Sequence, residues 1–170
     1  MPPARQRHMG DKASGLPTRH DRRPRLDASV YEEPGYAVHV IIGTHLGRPV
    51  FTGPNEPGEA VVAAPEEAAG RAGVRLYCYC LMPDHVHIVA SIEPGGKGIH
   101  RFVWYLKRLT KAKTGSRMSG SIWQRSFYDH VLRDAEDLGD LCRYVVNNPV
   151  RKGIVERWED YPYVWLSEEI

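Results

Sequence analysis

The stretch from Val74 to Ser91 constrains the fold more than any other part of the chain. Val74-Arg75-Leu76-Tyr77-Cys78-Tyr79-Cys80-Leu81 and His85-Val86-His87-Ile88-Val89-Ala90-Ser91 are both rich in β-branched, aromatic and other apolar residues, and only Met82-Pro83-Asp84 separates them. Two extended runs joined by so short a link fold back as an antiparallel hairpin, because a parallel pair needs a long crossover. Side chains alternate along a strand. Alternation predicts one face carrying Val74, Leu76, Cys78 and Cys80, and another carrying Arg75, Tyr77, Tyr79 and Leu81. On the second strand His85, His87 and Val89 point one way, and Val86, Ile88 and Ala90 the other.

Around this hairpin the pattern predicts an α+β domain. Tyr36 to Thr44 reads as a first strand. Pro49, Pro54 and Pro57 make Gly47 to Gly58 a loop, and Glu59 to Ala72 reads as a helix that Pro65 interrupts or delays. Ile99 to Lys113 carries apolar residues at helical spacing. Ile122 to Arg133 reads as an extended fourth strand. Asp134 is the expected N-cap of the next helix, with Glu136 and Asp137 in its first turn. Leu138, Leu141, Cys142 and Val145 form its buried stripe, and Pro149 stops it after Asn148. The aromatic segment Trp158 to Trp165 is expected to pack over the domain. Residues 1–33, with Pro2, Pro3, Pro17, Pro24 and many arginines, read as a disordered basic tail ahead of a domain spanning 34–170.

At 170 residues the chain suits one domain and a tail. Its net charge of +2 says little about partners. No apolar run approaches the length of a membrane span and the N-terminus lacks a secretory apolar stretch. Three cysteines without framework spacing point to a reducing, cytoplasmic setting. Cys78, Cys80 and Cys142 read as small core residues rather than zinc ligands.

Chemistry enters through two separated elements. His85 and His87 at i and i+2 on a strand sit about 6.6–7 Å apart along it, a workable bite for one metal ion. Imidazole suits Mn²⁺, Zn²⁺, Ni²⁺ or Cu²⁺, and an added amide oxygen shifts preference toward Mn²⁺ and Mg²⁺. Asp84 reads as a cap of the turn. Tyr144 and Asn148, at i and i+4, share one helix face, so a tyrosine nucleophile and a third ligand can stand together. His39, His45, His100 and His130 read as incidental.

From Arg101 to Arg133 the chain holds eight Lys or Arg against one acid, Asp129, a local charge of +7. Trp104, Tyr105, Trp123, Phe127 and Tyr128 are interleaved with these cations. Cations for phosphates and rings for unstacked bases are the parts of a single-strand binder. Arg101, Lys107, Arg108, Lys111 and Arg125 are the candidate DNA contacts, with Arg151 and Lys152 just beyond the Tyr144 helix. Lys107 and Lys111 share a face and are expected to outweigh Arg108.

Cys80-Leu81-Met82-Pro83-Asp84-His85-Val86-His87 resembles the His-hydrophobic-His (HUH) signature of the Y1 single-tyrosine, IS200-like transposases. Ile122-Trp123-Gln124-Arg125-Ser126-Phe127, with Tyr144 to Gly153, is similar to their REP-associated branch. Typical IS200 members carry Gln four places after the tyrosine, where this chain has Asn148 followed by Pro149. The resemblance covers roughly residues 36–165. It implies an antiparallel sheet flanked by helices, a ferredoxin-like palm. It also implies His85, His87 and Asn148 as ligands of Mg²⁺ or Mn²⁺, and Tyr144 as the nucleophile that keeps a 5′-phosphate. The implied partner is single-stranded or hairpin DNA such as repetitive extragenic palindromes. The protein would act as a monomer or homodimer in the cytoplasm, at the nucleoid when DNA-bound. The competing expectation is a non-catalytic DNA- or RNA-binding protein on the same scaffold. A metallohydrolase using activated water would explain the histidines but not Tyr144.

Overall fold

The computed structural model describes residues 34–51, 58–115, 120–132 and 137–170. The readings of a disordered tail at 1–33, of Arg117 and Arg133 as cations, and of Asp134 as a cap fall outside the described residues.

Ten helices and strands are described, apart from two short 3₁₀ turns, His45–Gly47 and Trp158–Asp160. In chain order they are β1 (Ala37–Gly43), α1 (Gly58–Val62), α2 (Ala64–Ala72), β2 (Val74–Met82), β3 (His85–Ile92), α3 (Ile99–Thr114), β4 (Tyr128–Val131), α4 (Leu138–Val146), α5 (Asn148–Arg151) and β5 (Val164–Leu166). The strands form one sheet in the order β4-β1-β3-β2-β5, every neighbouring pair antiparallel. This is the expected α+β arrangement. Among the described residues no helix is long and apolar enough to cross a membrane.

The sheet separates two cores. On one face Val38, Val40 and Ile42 of β1 and Val86, Ile88 and Ala90 of β3 pack against Val61, Ala64, Ala68, Ile99, Phe102, Val103 and Leu106 of α1–α3. Pro65 starts α2 after the break that its missing N–H makes cheapest at a first turn. On the other face Cys78, Cys80, Met82 and Val89 meet Cys142, Val145 and Val146 of α4, with Tyr161 closing the edge through a 2.8 Å hydrogen bond to the Leu81 carbonyl.

Strict alternation along β2 does not hold. Leu76 faces Ala90 and Cys78 faces Val89, so Tyr77 is an extra residue on β2, a β-bulge. The bulge inverts the phase beyond it. Cys78 and Cys80 leave the face of Val74 and Leu76 and join Met82 beneath α4, while Tyr79 and Leu81 turn into the other core.

Two further expectations are corrected, for the fourth strand and for Pro149. The fourth strand is only Tyr128–Val131. Residues 122–127 run irregularly, tied to β1 by Gln124 N–H to the Gly43 carbonyl (2.9 Å) and His45 N–H to the Ile122 carbonyl (2.8 Å). The Lys107 ammonium draws the carbonyls of Gln124 and Arg125 to 2.9 and 3.1 Å, which takes them out of any ladder. The N-cap of α4 is Asp137, whose carboxylate accepts the Asp140 N–H at 2.9 Å. Pro149 does not end the Tyr144 helix but sits in the first turn of α5, so the chain pivots at Asn147 and continues. Finally, the aromatic C-terminal segment adds a fifth strand, Trp165 pairing with Tyr79 in register.

Candidate metal centre and nucleophile

His85 and His87 open β3, both buried (7% and 3% exposed), on the sheet face that α4 covers. Their Nε2 atoms stand 3.0 Å apart. That is the separation of two adjacent nitrogens each about 2.1 Å from one ion at a right angle. The two-residue turn before them is pinned by Thr44 N–H to the Asp84 carbonyl (2.8 Å) and Phe51 N–H to the Pro83 carbonyl (3.2 Å). Asp84 then places a carboxylate oxygen 2.6 Å from His85 Nδ1. From β1, His39 Nε2 reaches His87 Nδ1 at 3.0 Å, its ring stacked on that of His87.

These contacts restrict the tautomers. A carboxylate only accepts, so His85 carries its proton on Nδ1 and its Nε2 is a bare lone pair. Without a cation, His87 satisfies that lone pair by donating from Nε2, and its Nδ1 then accepts from His39 Nε2–H. With a cation at the two Nε2 atoms, His87 moves its proton to Nδ1 and His39 Nε2 becomes the acceptor. The residues therefore fit a divalent ion: both ring nitrogens can be presented as lone pairs, each ring oriented from behind by an acceptor.

Burial, and next the charge of His130, lowers the His39 pKa to about 4. Burial, followed by His85, His39, Arg151 and Lys152, holds His87 well below the usual histidine range. Both rings stay neutral, the form that binds metals. The same interactions place the positive charges at the end of α5 within electrostatic reach of His87.

The apolar stripe of α4 seats that helix on Val89, the next residue after His87 on the same strand face. Tyr144 stands off this stripe, 44% exposed, with the Arg151 guanidinium 4.3 Å from its ring centroid. Asn148 is buried, and its Nδ2 donates to the carbonyls of Tyr144 and Val145, each at 3.1 Å. That orientation leaves its Oδ1 as the free acceptor of the amide. Among the described residues no three of His, Cys, Asp and Glu gather as a ligand set. A third protein donor would be of another kind, and the carboxamide of Asn148 has suitable chemistry.

The three cysteines are free and buried. Hydrogen bonding to Cys142 and burial raise the Cys78 thiol, and burial pushes Cys80 up to about 12. Cys78 and Cys80 are thus protonated, and all three cysteines are core groups, as the sequence suggests. Two site residues were missed there. His39 looks incidental until β1 is seen to lie beside β3, a pairing that local pattern does not encode. Gln124 rests its carboxamide over Gly43, which pairs with His85; a Cβ at Gly43 would lie 3.1 Å from Gln124 Oε1.

The candidate DNA cations divide sharply. Lys107 is half-buried and binds the carbonyls of residues 124–126, and burial lowers its pKa. Lys111 binds the Gly120 carbonyl at 3.1 Å, and Lys113 pairs with Glu67 at 3.0 Å. Lys107 and Lys111 thus hold the 120–126 loop, which carries the exposed Arg125, around an open cleft of about 480 Å³ that His45, Trp123 and Arg125 also line. Trp123 Nε1, buried, has no acceptor. Arg101 and Arg108 are exposed, on the far side of the sheet from the histidines.

Residues 33–148 match the family model described as IS200-like transposase. The chain belongs to that family. It is 27% identical over 95 residues to a REP-associated tyrosine transposase of Escherichia coli K12, and 33% identical over 103 residues to a Haemophilus influenzae protein provisionally given the same name. Those segments cover 56% and 54% of this chain; the chain spans only somewhat over half the length of these relatives, 56% and 58%. In three dimensions this IS200-like chain matches a REP-associated tyrosine transposase solved with a REP hairpin, at a TM-score of 0.65 and 18% identity, over 78% of this chain and 77% of that one. That likeness establishes the shared fold.

Proposed function

We propose that the protein nicks and transfers single-stranded or hairpin DNA through a covalent 5′-phosphotyrosine at Tyr144. The observation that carries this reading is one sheet face bearing both parts: a histidine pair with 3.0 Å between its Nε2 atoms, and a helix seated beside it that leaves the Tyr144 ring exposed. His85 and His87, with the Asn148 carboxamide, would hold Mg²⁺ or Mn²⁺; when bound, such an ion polarises phosphate oxygens. In the step itself the Tyr144 oxygen bonds to phosphorus and the bond from phosphorus to the 3′-oxygen breaks. The phenol proton ends on that oxygen as a 3′-hydroxyl. One phosphodiester replaces another, so the reverse reaction rejoins strands without ATP. Arg151, stacked on the Tyr144 ring, fixes its orientation. With Lys152 it brings positive charge to the phosphate's approach, and Lys111 and Arg125 offer charge along the 120–126 loop. Hairpin recognition is supported by the solved relative, which holds a REP hairpin.

The test is a hairpin oligonucleotide incubated with purified protein and Mn²⁺, then run on a denaturing gel. Wild type should give a protein–DNA adduct, and Tyr144→Phe should bind the oligonucleotide but give none. An undiminished adduct with Tyr144→Phe would move the nucleophile elsewhere. Cut DNA released without adduct would favour the water-activating hydrolase, and binding without cutting the non-catalytic scaffold.

A further inference from the structure

Trp104 is the largest side chain left exposed on α3, at 44%. An indole so placed normally turns inward or is covered. Here its neighbours are cations: the Arg108 guanidinium carbon lies 4.8 Å from the ring centroid and that of Arg101 lies 5.3 Å from it. Tyr105 meets the indole edge-on at 5.0 Å, and Lys97 stands 5.5 Å from the Tyr105 ring. No acidic residue occurs anywhere in α3. Residues 101, 104 and 108 fall at i, i+3 and i+7, a single stripe on the helix surface. The opposite stripe, Ile99, Phe102, Val103 and Leu106, is buried against the sheet face that does not carry the histidines. The patch is therefore separated from His85, His87 and Tyr144 by the sheet itself.

We propose that Trp104, with Arg101 and Arg108, is a second contact site for single-stranded nucleic acid, distinct from the cleavage site. An unpaired base stacks on the indole, and the phosphates on either side of it meet the two guanidiniums. Aromatic faces accept any base and are attractive only to bases already out of a duplex. Arginines on the same ring supply charge without fixing sequence. Such a site selects unpaired flanking DNA over paired DNA and holds it while the reacting phosphate lies on the other face. A second protein copy fits less well, since two such patches would oppose their guanidiniums. The inference rests on the reading of the chain as a single-strand DNA enzyme, but its test does not depend on cleavage.

Affinities for a labelled oligothymidine and for a blunt duplex are measured at several salt concentrations, in a Tyr144→Phe background that excludes covalent capture. Trp104→Ala should weaken oligothymidine binding about tenfold, from the stacking energy of one base. It should leave the blunt duplex and the melting temperature unchanged. Trp104→Phe should recover most of the affinity. Replacing Arg101 and Arg108 together by Ala should lower the slope of log K against log salt by about 1.4, roughly 0.7 for each lost phosphate. Unchanged oligothymidine affinity in Trp104→Ala overturns the site, and so does an equal loss for the duplex. A change in sedimentation on mutation, with DNA affinity intact, would make the patch a contact between copies instead. If wild type forms no adduct in the nicking test yet loses oligothymidine affinity with Trp104, the catalytic reading fails and this one stands.

Discussion

The two faces of the sheet are built from different materials. Beneath α1–α3 the packed surface is aliphatic and aromatic, with Phe102, Ile88, Ile42 and Leu106 fully buried. Beneath α4, whose own Cys142 packs on it, it holds two cysteines, a methionine and buried histidines whose nitrogens lie 3.0 Å from one another's. The first face contributes stability and little else. The second gives up apolar area to keep polar atoms poised, which a core does only where each has a partner. Neighbouring residues of β3 thus differ in kind: Val86 and Ile88 pack in the aliphatic core, while His85 and His87, the candidate metal ligands, present buried ring nitrogens on the α4 side.

The sharpest way to break this division is to cut side chains from each face in turn. Replacing His85 and His87 together by Ala should remove Mn²⁺ binding and adduct formation altogether, with the melting temperature nearly kept. Phe102→Ala should cost about 3–5 kcal/mol of stability, as for other buried aromatics, while the surviving folded fraction still binds Mn²⁺. Calorimetric titration beside thermal melts reads both. A double histidine variant that unfolds would make that face structural too.

A smaller effect is expected behind the histidines. Asp84→Asn and His39→Phe should each weaken metal affinity about 10- to 100-fold, the usual consequence of losing a group that orients a ligand. With Zn²⁺ as a diamagnetic probe, ¹⁵N spectra should show His39 Nε2 losing its proton as metal is added. An Nε2 that stays protonated throughout would disprove the tautomer exchange.

The last effect concerns acid rather than metal. His39 resists protonation in the fold, at about 4, but titrates near 6.5 in the unfolded chain. Protons therefore favour the unfolded chain between those values, and stability falls as pH drops from 6.5 toward 4, by roughly 3 kcal/mol at most from this residue. Urea melts across that range should show a shallower loss in His39→Phe. An equal loss would assign the acid sensitivity to other groups.

Much of this is legible in the sequence alone. The hairpin, the alternation that puts His85 and His87 on one face of it and the amphipathic α3 follow from spacing within a few residues, whereas the joining of Tyr144 and Asn148 to those histidines comes from the family resemblance. What was not legible depends on strands distant in sequence or on one local irregularity. His39 gains its role only because β1 lies beside β3. The fourth strand is shorter than its composition suggests because Lys107, from another element, takes its carbonyls. The expected ranking of Lys107 and Lys111 over Arg108 rests on helix phase, which does not tell a side chain facing solvent from one holding its own chain's loop.

The bulge at Tyr77 has a consequence for how this strand can change in evolution. Removing one residue from a regular strand turns every side chain on one side of the cut to the opposite face. Removing Tyr77 would instead leave Leu76 opposite Ala90 and Cys78 opposite Val89, so regular alternation returns and everything from Cys78 to Met82 keeps its present face. Tyr79 and Leu81 would stay in the aliphatic core and the two thiols beneath α4. The strand thus carries one residue of slack: the loss of Tyr77 is absorbed, whereas a second deletion before the turn that positions Asp84 would carry one side of the strand across the sheet.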